Sequence, residues 1–171
     1  MAEKYIVYQY VKNKIHDCDY KELLQRQNLS QSNKVFFNNG EMLKKWIYHL
    51  IVTFGKTRVF TLCNNNTLVH YTFFTPYCYK FGFMDRHDYV IGPCWTAEAF
   101  RGNHIYPITI CNVAYRLTQK NINSHVYLLV RPDNKESTNA VLHSSGWIPV
   151  GTITKTKFKN YRICERIEET V

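Results

Sequence analysis

A strand-like run from Asp88 to Trp95 passes through a basic, glycine-containing connection, Arg101-Gly102-Asn103-His104-Ile105-Tyr106-Pro107, into apolar positions Ile105, Ile108, Cys111 and Tyr115 at helical spacing. A second run, His125 to Val130, follows this helix and is apolar at nearly every position, as a strand covered on both faces requires. Strand, helix and buried strand in this order point to an α/β sheet with helices on its faces. The connection also has chemistry of its own. The first N–H groups of a helix lack intrahelical partners and sit at the positive end of its dipole, so a phosphate is stabilised there. An Arg-Gly pair suits a plain solvated connection equally well, and these seven residues alone leave both readings open.

The rest of the chain follows the same grammar. Tyr5 to Val11 reads as a first strand, and Asp19-Tyr-Lys-Glu22 offers a capping box for a short helix to about Gln27. A polar loop comes next. Met42, Leu43, Trp46, Ile47, Leu50, Ile51 and Phe54 then fall at intervals of three and four and predict an amphipathic helix ending near Gly55. Arg58 to Cys63 and Thr67 to Phe74 flank Asn64-Asn65-Asn66, a hairpin in which asparagine tolerates the left-handed backbone. Residues 75 to 87 form an aromatic loop before the strand at Asp88. Asp133-Asn134 caps a helix expected to close at Gly146 as its C′ residue, and Ile148 to Thr156 with Phe158 to Arg166 alternate as a final strand pair. The expected order over residues 1–171, read as one domain, is β-α-α-β-β-β-α-β-α-β-β.

With 171 residues, 45% of them hydrophobic, the chain is long enough to bury a core. A net charge of +9 favours phosphate-bearing partners: nucleic acid, a nucleotide or a phosphorylated substrate. The densest basic group, Lys155, Lys157, Lys159 and Arg162, alternates as edge protection of a strand does. Six cysteines contain no Cys-x-x-Cys pair and no histidine at zinc-finger spacing, so no metal is expected. Neither an apolar leader nor a run of ~20 apolar residues is present, and the expected setting is a reducing, cytoplasmic one without a membrane span.

Two local patterns resemble the GCN5-related N-acetyltransferase (GNAT) superfamily. Phe100-Arg101-Gly102-Asn103-His104-Ile105-Tyr106 looks like its pyrophosphate loop, and Asp133-Asn134-x-x-Ser137 followed by Gly146-Trp147 looks like its Asn-and-small-residue helix closing in Gly-Phe. The resemblance implies a mixed sheet whose fourth and fifth strands splay apart around acetyl-CoA. Arg101, Gly102, Asn103, His104, Ile105 and Tyr106 would hold the pyrophosphate. Val90, Ile91, Cys94 and Trp95 would meet the acetyl and pantetheine parts, with Asn134 and Ser137 along the pantetheine arm. The chain departs from the pattern at His104 and Tyr106, where the family has small residues. The tyrosine that many members use as general acid on the last helix is absent too; Val141, Leu142 and His143 occupy its neighbourhood.

The implied reaction is direct transfer of an acetyl group from acetyl-CoA to an amine. It needs a base for the amine proton, a hydrogen-bond donor to the oxyanion, and a proton donor for the thiolate. Pro93 has no N–H, which leaves Cys94 or Trp95 as backbone oxyanion donor. Glu98 is the base candidate and His143 the acid candidate. His70, Tyr77 and Tyr79 are candidates for the acceptor side. The loop is similar to acetyltransferase-like proteins of bacterial surface-polysaccharide synthesis, which suggests an amino sugar or sugar nucleotide as acceptor; a homodimer is left open. The competing readings are a silent GNAT-like module that binds nucleic acid or a nucleotide, and an assembly subunit.

Overall fold

The computed structural model describes residues 3–11, 17–78, 81–121, 123–144, 146–155 and 161–166. Strand β1 (Glu3–Tyr10) leads to helix α1 (Asp17–Arg26), a short strand β2 (Ser30–Ser32) and helix α2 (Gly40–Val52). Then come β3 (Arg58–Asn64), β4 (Thr67–Pro76), β5 (Tyr89–Thr96), a 3-10 turn (Glu98–Phe100) and helix α3 (Ile105–Lys120). The chain continues through β6 (Val126–Val130), α4 (Lys135–Leu142), β7 (Trp147–Lys155) and β8 (Tyr161–Arg166).

The expected element order holds, with one strand added. The polar loop after α1 contains β2, which pairs with β3 at Ser30↔Cys63 and Ser32↔Thr61. Serine and glutamine gave no apolar alternation by which to see it. Helix α1 begins before the expected capping box, so Asp19 lies in its first turn. Helix α4 ends at Leu142 with His143 as its C-cap, short of the expected closure at Gly146. Gly146 serves the next turn: its φ is +95°, and a Cβ there would lie 2.9 Å from the Tyr10 ring. Its carbonyl accepts from the Val11 N–H at 2.7 Å. The asparagine hairpin forms as read, with Asn65 and Asn66 both at positive φ.

The eight strands form one mixed sheet in the order β2-β3-β4-β5-β6-β1-β7-β8. Strand β1 therefore lies between β6 and β7, antiparallel to both. The β5–β6 pair is parallel and brief: Tyr89↔Val126, Val90↔Tyr127 and Ile91↔Leu128 match, and pairing stops although β5 runs on to Thr96. These are the fourth and fifth strands of the sequence reading, and they splay. On one face Ile91, Leu128 and Val130 pack against Ile110, Val113, Ala114 and Leu117 of α3, Tyr20 and Leu23 of α1, and Val141 of α4. On the other face Met42 and Trp46 of α2 cover Val59, Tyr71, Phe73 and Trp95, while Phe81 and Met84 of the aromatic loop cover Val7, Val90 and Ile153.

Asp88 anchors the paired half of the splay. Its buried carboxylate accepts from the Asp85 N–H at 2.7 Å and the His125 N–H at 2.9 Å, with His125 Nδ1 at 3.2 Å. Asp85, Asp88 and His125 bring one ligand atom each within 4.8 Å. The Asp88 oxygens are spent on those backbone donors, which makes the trio a staple between the starts of β5 and β6.

Candidate active site at the splayed strands

A bulge prepares the free end of β5. Phe74 pairs with Ile91 and Thr72 with Cys94, so one residue of β4, Phe73, is matched by two of β5, Gly92 and Pro93. Backbone groups along a strand face its two neighbours alternately. The Tyr89 N–H faces β6 and donates to His125 O at 2.9 Å, whereas the Ala97 N–H faces β4 and donates to Val69 O at 2.8 Å. The extra residue inverts the alternation between these points. Trp95 consequently turns its amide to β4, and Cys94 and Thr96 turn theirs to the side that β6 has vacated. Thr96 O accepts from Arg101 Nε at 3.3 Å on that side.

The gap opens into a cavity of about 870 Å³ lined by β5 from Gly92 to Thr96, the connection from Phe100 to Ile108 apart from Asn103, the end of β6 and helix α4. At one end the connection curls into a cradle of backbone. Gly102 has φ +79° and His104, the residue before α3, has φ +56° and ψ 17°. Histidine tolerates this left-handed backbone better than most residues, which is how the loop keeps its path without a second glycine. Successive positive and helical φ values turn N–H groups to one side. Among the described residues, no acceptor meets the N–H groups of Gly102, His104, Ile105 or Tyr106, while a turn closes over residues 101 and 102; the first bond of α3 runs from the Ile108 N–H to His104 O at 3.2 Å. The Asn103 side chain donates back to Phe100 O and Arg101 O and accepts from Gln27 Nε2.

At the other wall, Asn134 caps α4, its Oδ1 accepting from the Ser137 N–H at 3.1 Å. The Tyr106 phenol, from the first turn of α3, lies near the Ser137 side chain of α4. Burial is the main cause holding that phenol well above the usual tyrosine range, with the nearby Cys94 thiol adding to it. Cys94 is partly exposed as a residue, but its thiol is enclosed and pushed up to about 12 by burial. A thiol so protonated is no nucleophile.

The structure gathers most of the expected cofactor residues, and the acid candidate His143, around one cavity and places others outside its lining. Cys94, Trp95, Arg101, Gly102, His104, Ile105, Tyr106, Asn134, Ser137 and His143 line it. Val90 and Ile91 do not; they are 3% and 1% exposed, and their backbone lies within the paired part of the sheet. Glu98 is exposed on the 3-10 turn outside the cavity. His70 does not line it either: its ring is fully buried under β5 between two threonine hydroxyls. Tyr77 lies exposed beside the start of β5, its N–H on Asp88 O, and Tyr79 is outside the described residues. Tyr5, Thr96 and Asn112 line the cavity without having been singled out. A coarse signal existed for Thr96, which continues the strand past Trp95.

The splayed parallel pair, the bulged strand and the loop–helix cradle define the GNAT fold. A GNAT-family protein assigned as an acetyltransferase from Novosphingobium aromaticivorans superposes with a TM-score of 0.59 at 9% identity over 90% of this chain and 63% of that one. The GCN5-related glucosamine N-acetyltransferase region of a fungal multi-domain β-N-acetylglucosaminidase gives 0.61 at 9% over 89% of this chain and 20% of that one. An acetyltransferase of the GNAT family from Colwellia psychrerythraea gives 0.53 at 11% over 86% and 53%. The chain thus spans between 20% and 63% of the length of these structures. No protein-family model and no curated protein sequence matches it. Among the described residues no helix is long and apolar enough to cross a membrane.

Proposed function

We infer that this chain is a CoA-dependent N-acetyltransferase that moves an acetyl group from acetyl-CoA directly to an amine, the nitrogen of an amino sugar or sugar nucleotide being the favoured acceptor. The observation that carries this reading is the gap beyond Ile91 and Leu128, which opens unpaired β5 amides into the same cavity that carries the cradle of free N–H groups. The glucosamine N-acetyltransferase region of the fungal protein supports the choice of acceptor.

The residues present suit the CoA pyrophosphate. Gly102 has no Cβ to fill the concave side, where an added Cβ would meet nothing within 4 Å, and Arg101 supplies charge at the rim. In this reading the N–H groups of Gly102, His104, Ile105 and Tyr106 hold the phosphates, and Asn134 and Ser137 flank the pantetheine arm. The Cys94 N–H donates to the carbonyl oxygen as it gains charge. His143, at the end of α4, takes the proton that the attacking amine loses. The Tyr106 phenol gives its proton to the departing sulfur and is restored from solvent, so that a C–N bond forms, a C–S bond breaks and one proton passes from nitrogen to sulfur.

A direct test pairs thermal shift with turnover. Acetyl-CoA at 100 times its Kd adds about 2.7 kcal/mol of stability, which for a chain of this size raises Tm by roughly 5–10 °C. Glucosamine and amino-sugar nucleotides are then offered as acceptors, with release of free thiol as the readout. No shift at millimolar acetyl-CoA, together with steeply salt-dependent binding to oligonucleotides, would replace this reading with a nucleic-acid-binding one.

A further inference from the structure

The free end of β5 has lost its β6 neighbour, yet its amides must point steadily into the cavity if they are to act there. A buried polar ring underlies this arm. His70 and Thr72 of β4 face Thr96 and Cys94 of β5 across the ladder. The His70 ring joins the strands through Nδ1, which lies 2.8 Å from Thr96 Oγ1, while Nε2 lies 2.7 Å from Thr72 Oγ1 on its own strand. His70 and Thr72 are wholly buried, whereas Cys94 and Thr96 line the cavity. The Tyr106 ring closes over His70 with centroids 6.4 Å apart.

We propose that His70 is a positioning residue: held on β4 by Thr72 and bonded across to Thr96, it clamps the unpaired arm of β5 to β4 and fixes the Cys94 amide, two residues before Thr96, in the cavity. A neutral imidazole has one N–H and one bare nitrogen, so it donates to one hydroxyl and accepts from the other, which gives the pair of bonds a single direction. Apolar residues at these four positions would fill the same space without that constraint. Burial lowers the His70 pKa to about 3 and makes the ring a poor base, which separates this holding role from proton transfer. The clamp rests on the acetyltransferase reading for its purpose and on the hydrogen bonds alone for its existence.

The test uses Thr96→Val, which keeps volume and removes the hydroxyl, and Thr96→Ser, which restores it. In the ligand-free protein, loss of one hydrogen bond is expected to speed exchange of the Ala97 amide roughly three- to tenfold, with the Tyr89 amide on the paired half unchanged. Turnover of acetyl-CoA should fall about tenfold in kcat, since small misplacements of reacting groups are costly, while KM for acetyl-CoA stays within twofold. Thr96→Ser should return both readouts towards the parent. Unchanged Ala97 exchange in Thr96→Val would overturn the clamp, whether or not any amine is acetylated. Faster exchange with unaltered kcat would overturn its purpose. A parent protein that neither binds nor uses acetyl-CoA would instead count against the acetyltransferase reading, with the exchange data still deciding the clamp.

Discussion

In the proposed reaction the Tyr106 phenol is the proton source, at a position where the family pattern has a small residue. A bulky residue in the loop position of a small one narrows the room for phosphate, but here the ring packs over His70 of β4, with centroids 6.4 Å apart. Tyr106→Phe is expected to lower kcat about 100-fold, the usual scale for losing a general acid, with acetyl-CoA affinity changed less than threefold by titration calorimetry. His70 predicts a pH effect on stability. Its folded pKa of about 3 lies below the ordinary 6.5, so the unfolded chain binds the extra proton between those values. Stability is therefore full above pH 6.5 and declines as pH falls towards 3, by up to about 1.4 kcal/mol per unit. Thermal melts of the parent and His70→Gln at pH 7 and pH 5 check this: the variant should lose that part of the slope.

At the scale of elements, the paired and unpaired halves of β5 depend on different residues. Asp88 fixes the paired half, and Asp88→Ala leaves two partly buried backbone donors without their acceptor. A loss of about 3 kcal/mol is expected, seen as a lower urea midpoint with little change in slope. Most elements were legible because their periodicity or their turns were strong: α2, α3, the asparagine hairpin and β6 all form close to where the residues place them. What was not legible depended on partners far away in sequence. Val90 and Ile91 read as cofactor contacts until β6 is seen to pair with them, and His70 could not be assigned a face until the bulge at Gly92-Pro93 set its register with Thr96. Helix α2 shows the limit of periodicity in the other direction. Its apolar stripe is wider than the sheet can cover, and Ile47 and Ile51 remain 44% and 68% exposed.

For the whole molecule, β1 is the member on which both halves of the sheet rely. It pairs with β6 from Ile6 to Gln9 and with β7 from Glu3 to Tyr10. Val7, 3% exposed, also packs with Val90 and Ile153. Val7→Asp places an unpaired charge there and is expected to cost about 4 kcal/mol or more. Circular dichroism should show loss of the whole sheet in one transition rather than fraying of one edge. The same placement governs events during synthesis. β1 is made first, but its last partner ends at Lys155, so at 5–20 residues per second it waits on the order of ten seconds for its neighbours. Until then an aromatic, β-prone segment stays open to capture by other chains. The yield of folded protein will accordingly depend on how quickly the distal half of the chain arrives.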